Sequence, residues 1–445
     1  MRNMSETSCG NYRQELLQMY YGRYCGILDK INIYTNHSMW QEGFKLIAPT
    51  IPGYAAQMYG EDFRIEYHLG GFSLMQSDAF VRSEGEAVER YSHLMAEANL
   101  KKKIVTASYD TLRAKGDKVC PLEYVNVYTN EQLANIQMPN FVKEQVGKED
   151  VIEWIPCKSI YDNSMVYIPA QMFFLMSSDK SEQRYYMSVS TGTASHRDKE
   201  RAMTNALSEY LQLDSMMLSW YNKGKMTKIS TVREVIKRLL EDTLVSKEYE
   251  VIFCDMTLDK PMYVVGCFLK NKFKKYPYCA FGMQADRDLG KAMYRSFMEA
   301  YAGVCPRIVN HSNVKRGDWN NLYYKVKNGI VYNLTENAEF YMSEYATDFV
   351  DACLEQIVVE DKKKAQCFIQ KEDKLQVIIN YLRTVSEYAC YLDITSNEFV
   401  GDGWCVIRAV IPELLPLCMP SVPYENHPRI RENGGVKNRS IHPCP

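Results

Sequence analysis

Ser83-Glu84-Gly85-Glu86-Ala87-Val88-Glu89-Arg90-Tyr91 is the stretch whose reading decides this chain. It lies inside a helical pattern that runs from Asp78 to Leu100. In that helix Glu86, Glu89 and Arg90 stand at i, i+3 and i+4 and share one face over successive turns. Two carboxylates side by side repel unless a cation sits between them, so such a face suits a divalent metal and leaves Arg90 to hold an anion. Magnesium and phosphate are the natural pair. Taken alone, the pattern is more often a solvated helix face with an ordinary intrahelical ion pair, so the rest of the chain has to decide.

The 445 residues have room for about two to four domains, or for one large elaborated domain. A hydrophobic content of 46% with 24% charged residues is ordinary for a soluble folded protein. Net charge is −2, so no basic excess drives nonspecific binding to nucleic acid or to a membrane. The start, Met1 to Gly10, lacks an apolar run flanked by basic residues, and the expectation is a cytosolic, cytoplasmic protein. Apolar runs such as Val166 to Met176 are too short to span a bilayer, which takes about 20 such residues. The fourteen cysteines are scattered with no Cys-x-x-Cys pair, and they read as small buried hydrophobes. Seven histidines, among them His68, His93, His196 and His311, are unclustered as well, which argues against a histidine-based metal site.

Strands are expected over Lys30–Tyr34, Val251–Asp255, Met262–Phe268 and Val406–Ile411. Further helices are expected over Arg197–Trp220, Thr231–Thr243, Asp288–Val304, Thr347–Val359 and Lys371–Glu387, which makes the fold class mixed, α+β or α/β. Lys101 to Lys103 and Asp361 to Lys364 read as exposed helix ends or loops. From Tyr424 to Pro445 the chain is rich in proline and glycine and builds no core of its own, so this tail must lie over the surface or enter a cleft. Cys444 is expected to be exposed there.

No Gly-x-x-x-x-Gly-Lys-Ser/Thr loop and no Gly-x-Gly-x-x-Gly fingerprint occur, so the standard nucleotide cradles are absent. A triphosphate can instead be held by magnesium ions on helix carboxylates with arginines on the remaining charge. Besides the first helix, two segments supply such groups. One is the small-residue turn Ser190-Thr-Gly-Thr-Ala194, followed by His196 and by a helix with Glu209 and Gln212 on one face. The other is Ala292-Met-Tyr-Arg-Ser-Phe-Met-Glu-Ala300, with Arg295 and Glu299 one turn apart. His196 reads as a surface or capping residue, and Tyr185-Tyr186 and Trp220-Tyr221 as strand and core aromatics.

The order and content of these segments resemble the YcaO family of ATP-dependent enzymes that modify peptide backbone amides. In that family a Gly-Glu-Ala-x-Glu-Arg-Tyr helix, a Ser-x-Gly-x-Ala turn leading to Ala-Leu-x-Glu-x-x-Glu-Arg-Asp, and a late Arg-x-x-x-Glu-Ala helix surround magnesium and ATP. Further echoes are Asn333-Leu-Thr-Glu-Asn-Ala-Glu-Phe-Tyr341, Val406 to Leu417 with its two prolines, and Asn426-His-Pro-Arg-Ile430. The resemblance runs from about residue 60 to the C-terminus. It implies an α+β fold: a single large YcaO-like mixed α/β domain over 61–430, behind an N-terminal segment 1–60 and before a proline-rich tail 431–445.

The resemblance also implies roles. Glu86, Glu89, Glu209, Gln212 and Glu299 fall on metal-binding positions, and Arg90, Ser190, Glu209, Arg295 and Glu299 on positions that hold the nucleotide. Gln212 stands where a glutamate is usual and Leu213 where an arginine is usual; a Gln carbonyl can ligate magnesium but brings no charge. Arg201 replaces a common Glu with Glu200 beside it, and Arg82 and Ser83 are similarly offset from the usual serine. The ending Ile441-His-Pro-Cys-Pro445 echoes the Pro-x-Pro-x-Pro of azoline-forming members without its first proline, and implies that the terminal carboxylate of Pro445 acts as a base. The implied activity is an ATP- and Mg2+-dependent cyclodehydratase that forms thiazoline or oxazoline rings in a ribosomally made precursor peptide. Thioamide formation and a non-catalytic ATP-binding scaffold are the alternatives. The implied partners are a separate leader-binding protein of ThiF-like or winged-helix type and a flavin dehydrogenase acting afterwards, with a homodimer as a further expectation.

Overall fold

The computed structural model describes residues 26–28, 30–35, 44–51, 69–138, 141–175, 184–222, 226–230, 234–241, 244–309, 319–355 and 372–444. Three sheets carry the chain. Strands β1 (Lys30–Thr35), β2 (Lys45–Thr50) and β3 (Gly71–Ser73) form an antiparallel sheet in that order. Strands β4 (Val105–Ser108), β5 (Lys118–Val119), β6 (Val151–Ser159), β7 (Met165–Pro169) and β8 (Thr193–His196) belong to a second sheet. The third consists of β9 (Thr227–Lys228), β10 (Tyr249–Asp255), β11 (Tyr263–Asn271) and β12 (Cys279–Asp286), with β12 at one edge. The chain then returns to the second sheet with β13 (Cys390–Asp393) and β14 (Cys405–Val410), giving the order β5-β7-β6-β13-β14-β8 with β4 on β6. The described pairings are antiparallel apart from β5 with β7. Antiparallel sheets with helices laid on them make the fold α+β, as expected.

Three long helices line the region where these sheets approach one another. Helix α1 (Gln76–Leu100) packs on β2, β3 and β8; α2 (Lys199–Tyr221) on β8, β14 and β12; and α3 (Leu289–Val309) on β11 and β12. The start of α2 is set locally. His196 Nδ1 accepts the Asp198 N–H at 2.8 Å, and the Asp198 carboxylate caps the helix by accepting the Arg201 N–H at 3.1 Å. Two shorter helices matter below, α4 (Leu334–Met342) and α5 (Lys374–Val385), each opened by a side-chain cap from Asn333 and Asp373.

Helix α3 lies almost against the β12 backbone. A Cβ at Gly282 would stand 2.4 Å from both Ala300 N and Ser296 O, and one at Gly71 would stand 2.0 Å from Ala79 O on α1. Only glycine permits these two crossings. Apolar side chains fill the space between the layers: β14 is buried along its whole length, and Phe253, Phe297 and Tyr301 join α3 to β10 in a second cluster.

The expected helices and strands lie within a few residues of the observed ones. Thr231–Thr243 is helical over Glu234–Leu240, and Thr347–Val359 over Thr347–Leu354, the remainder falling largely outside the described residues. Lys101–Lys103 is an exposed 3-10 turn; Asp361 to Lys364 lie outside the described residues. Tyr185 and Tyr186 are buried as expected but not in a strand, because their N–H groups donate to the Gln171 side chain at 2.9 and 3.3 Å instead of to a ladder. The described cysteines are free and buried, and this includes Cys444, 2% exposed, which corrects the expectation of an exposed thiol. The tail enters the core: Ile441 and Cys444 pack into the main apolar cluster. No described helix is long and apolar enough to cross a membrane.

One buried charge network ties distant segments together at the base of α2. Asp214 is fully buried, 2.7 Å from Lys260 Nζ and 2.8 Å from Arg429 Nη2, and accepts the Leu415 N–H at 2.9 Å. Burial pushes its carboxyl up, but Lys260 and Arg429 outweigh this and hold it below the ordinary aspartate value. Arg429 also reaches Asp259 at 3.0 Å, so the Asn426–Ile430 motif seen in the sequence is a clamp on α2. Replacing Asp214 by Ala removes one of the two carboxylates that meet Lys260, whose side chain has no exposed surface, and leaves Asp259 as its partner. The expected cost is about 1–3 kcal/mol, read as a shift of the urea midpoint at unchanged m-value.

Candidate active site

Each site glutamate is aimed by one backbone N–H. Gly70, just before β3, donates to Glu86 Oε2 at 2.7 Å, and the Ser195 N–H of β8 donates to the Glu89 carboxylate. Gly192, in the turn entering β8, donates to Glu209 Oε2 at 3.2 Å. This glycine has φ +85°, a left-handed conformation that presents the N–H, and a Cβ there would stand 2.5 Å from Ala409 O. Met283 of β12 donates to Glu299 Oε2 at 2.8 Å, and two residues along the same outer edge Ala285 donates to Gln212 Oε1 at 2.9 Å. Backbone donors in or next to the strands therefore orient the helix carboxylates. The sequence motif held the acceptors only.

These side chains form one electrostatic group. Arg90 stands 3.8 Å from Glu86 and 4.0 Å from Glu89, whose side chains are 25% and 17% exposed. Burial raises the Glu86 carboxyl above its ordinary value against the pull of Arg90 and the Gly70 N–H. Burial, opposed by Arg90 and reinforced by the charges of Glu209 and Glu86, pushes Glu89 up to about 8. Glu209 rises to about 7, mainly through burial, with Arg90 and the Gly192 N–H opposing. Glu299 rises to about 7 through burial and the charges of Glu209 and Glu86, with the Met283 N–H and Arg295 opposing. The solvated helix face that the Glu-x-x-Glu-Arg pattern usually means is thus excluded.

Arg295 is half-buried. Burial lowers its pKa from the ordinary arginine value, then the nearby Arg82 does so, against Asp286 and Glu299. Lys374, at the start of α5, is lowered by burial and by Arg295, Lys291 and Arg287, with Asp286 opposing. Arg82 and Lys374 therefore extend the positive wall beside the carboxylates. Nothing in their spacing along the chain marks this. Arg408 was also missed. It is 3% exposed, donates to the carbonyls of Met172, Phe173, Val189 and Thr191, and feels the charge of Glu209. It holds the 189–193 turn in which Ser190 is half-exposed and accepts the Thr193 N–H through its carbonyl at 3.0 Å. Pro445 lies outside the described residues. An apolar recess lined by Ile31, Phe80, Glu84, Val88 and Phe399 is on another face of α1; its lining has no cation, which does not suit a triphosphate.

A family model described as YcaO cyclodehydratase, ATP- and Mg2+-binding, matches residues 70–415. The chain belongs to the YcaO family. The matched span begins at the Gly70 that orients Glu86 and ends at the Leu415 that donates to Asp214. No curated protein matches the sequence. Among solved structures, a heterocyclase in complex with substrate and cofactor superposes with a TM-score of 0.71 at 16% identity, covering 92% of this chain and 53% of that one. The YcaO from Methanopyrus kandleri bound with AMPPCP and Mg2+ gives 0.58 at 13% identity, covering 92% and 93%. The E. coli microcin synthetase McbBCD complex gives 0.65 at 12% identity, covering 96% and 99%. The chain spans about half the length of the first heterocyclase and of the heterocyclase TruD. At these identities the likeness establishes the fold, a single YcaO-like domain of mixed helices and sheets.

ATP and Mg2+ are the ligands of the YcaO family, and the residues present fit them. Hard carboxylate oxygens, whose protons are held more tightly through burial and then through neighbouring charge, suit Mg2+, and Arg90 and Arg295 suit phosphate oxygens. Among the described residues no three acidic, histidine or cysteine side chains converge on a single ion position. Magnesium takes one or two carboxylates and completes its shell with phosphate and water.

A carboxylate raised in the fold binds more protons folded than unfolded, so these groups lower stability as pH climbs from the ordinary carboxylate range to their raised values. Without divalent ions the melting temperature is expected to fall between about pH 5 and about pH 8. Added Mg2+ restores it, more at the upper end, because binding needs the ionised form. Scanning fluorimetry across that interval, with and without Mg2+, checks the sign.

Proposed function

We propose that this YcaO protein is an ATP-dependent cyclodehydratase that forms thiazoline or oxazoline rings in a ribosomally made precursor peptide. The observation that carries this reading is the group of Glu86, Glu89, Glu209 and Glu299, raised in pKa and bordered by Arg90 and Arg295. A Cys, Ser or Thr side chain of the substrate attacks the preceding amide carbonyl carbon and gives up its proton. The resulting oxyanion takes the γ-phosphoryl group of ATP, releasing ADP. Phosphate then leaves with the former amide oxygen as the nitrogen loses its proton and the C=N bond forms. An amide oxygen is a poor leaving group and phosphate a good one, so positioning and charge neutralisation are the protein's task.

In this reading Glu86, Glu89, Glu209, Gln212 and Glu299 hold Mg2+, which when bound neutralises charge developing on the phosphates. Arg90 and Arg295, with Ser190 at the turn, orient the nucleotide. Proton acceptance is assigned to the tail at Pro445, and what supports this is the course of residues 441–444 into the protein, where Cys444 lies within reach of the Glu299 charge. Peptide recognition falls to a separate leader-binding partner, and a flavin dehydrogenase oxidising azolines to azoles fits downstream. The solved microcin synthetase complex with pro-MccB17 bound is consistent with that division of labour.

A second reading, a non-catalytic ATP-binding subunit, is favoured by one feature. Gln212 is neutral, and Leu213, where the family carries arginine, is 5% exposed in the core. Incubation of chain, partner, precursor peptide, ATP and Mg2+ followed by mass spectrometry separates the outcomes: loss of one water per ring for cyclodehydration, exchange of oxygen for sulfur for thioamidation, no change for the scaffold. Glu86→Gln and Glu89→Gln are expected to abolish product, and near-normal turnover in either would remove the metal assignment. A wild type that is silent while Gln212→Glu hydrolyses ATP would favour the scaffold.

A further inference from the structure

The motif Asn333 to Tyr341 is unused by the chemistry above, yet it is fully occupied. It forms α4, whose end is tied to the start of β12 by the Tyr278 N–H donating to Met342 O at 2.7 Å. Asn337 is 0% exposed, and its Nδ2 donates to two tail carbonyls, His442 O at 2.7 Å and Cys444 O at 2.8 Å. Two facing carbonyls fix the amide's orientation, since only its NH2 can donate. One turn on, Tyr341 Oη donates to Ile441 O at 2.7 Å. The tail reaches this point along α2: Lys437 and Asn438 donate to Tyr221 O, and Trp220 Nε1 donates to Ser440 O at 2.8 Å. The His442 ring then donates through Nε2 to Cys418 O at 2.9 Å.

We propose that Asn337 and Tyr341 are positioning residues that hold residues 441–444 in the core against α4, so that delivery of the tail to the reacting centre depends on α4. The inference rests on the cyclodehydratase reading only for its catalytic consequence. The physical need is local. Ile441 stands where stiff-tailed relatives carry proline, which frees one backbone position, and Pro443 has no N–H with which to anchor itself. The carbonyls on either side of Pro443 are the groups left to hold, and Asn337 takes both. Helix α4 joins two ends of one device, since β12, to which it is tied, also orients Glu299 through Met283.

The test uses full-length Asn337→Leu and Tyr341→Phe, the second keeping the buried ring and losing only the hydroxyl. Alkylation of Cys444 by iodoacetamide under native conditions, followed on the C-terminal peptide by mass spectrometry, reports release of the tail. We expect labelling at least about tenfold faster in Asn337→Leu and a smaller rise in Tyr341→Phe. Ring formation is expected to lose about tenfold to a hundredfold in kcat with KM for ATP nearly unchanged. In a chain stopped after Ser440, Asn337→Leu should cost nothing further, because the groups it holds are gone. Wild-type labelling rates in both variants overturn the proposal, as does an Asn337→Leu loss that adds in full to the truncation. Release of the tail with unchanged kcat overturns it too. A wild type that makes no ring refutes the cyclodehydratase reading, and the labelling rates then decide the clamp by themselves.

Discussion

Four half-buried carboxylates brought within reach of one another's charge repel each other and lose water, and the rest of the architecture is arranged around that cost. Glu86, Glu89, Glu209 and Glu299 come from three helices, so no local interaction assembles them. Each is met by one backbone N–H, from Gly70, Ser195, Gly192 and Met283. A single N–H offsets only part of the penalty of burying a negative charge, and the remaining imbalance appears as pKa values of about 8 for Glu89 and about 7 for Glu209 and Glu299. Such a group is prepared for cations. It also explains why Arg90, flanked by two of the glutamates, is the first opposing charge that Glu86, Glu89 and Glu209 feel.

The sheets contribute through their edges. An edge strand presents unpaired donors, and β12 gives two of them, at Met283 and Ala285, to Glu299 and Gln212. The helices have to come close for this to work. Gly282 brings α3 onto β12 and Gly71 brings α1 onto β3, so two side-chain-free positions set the distances between carboxylates and donors. Asp214, two residues beyond Gln212, fixes the inner end of the α2 wall by joining Lys260, Arg429 and Leu415, which lie far apart in sequence.

What could be read from the sequence follows a physical division. The helix faces were legible because spacing along one helix determines which side chains share a face, and so Glu86 with Glu89 and Arg295 with Glu299 were paired correctly. The mixed fold was legible from the alternation of strand and helix patterns. The N–H donors were not, since every backbone carries them and only tertiary placement selects the few that matter. Arg408 and Lys374 were missed because an isolated cation has no periodicity, and its neighbours are supplied by remote turns and helices. The burial of Cys444 is not legible in the sequence for another reason. Proline, glycine and few apolar residues describe a segment that cannot build a core, but Ile441 and Cys444 are inserted into a core that other elements built.

The departures in the second motif acquire a physical meaning from this arrangement. Gln212 keeps the one function its position requires of an acceptor, taking the Ala285 N–H, which an amide oxygen does as well as a carboxylate oxygen. What the substitution removes is one negative charge from a group whose members already raise each other's pKa. A fifth carboxylate would drive the others further toward protonation, so the amide leaves the remaining four easier to ionise while offering less to a metal. Leu213 is buried in the core, where an arginine would have to shed its water. On the proposed function, cation binding then rests more on Glu86 and Glu89 of α1.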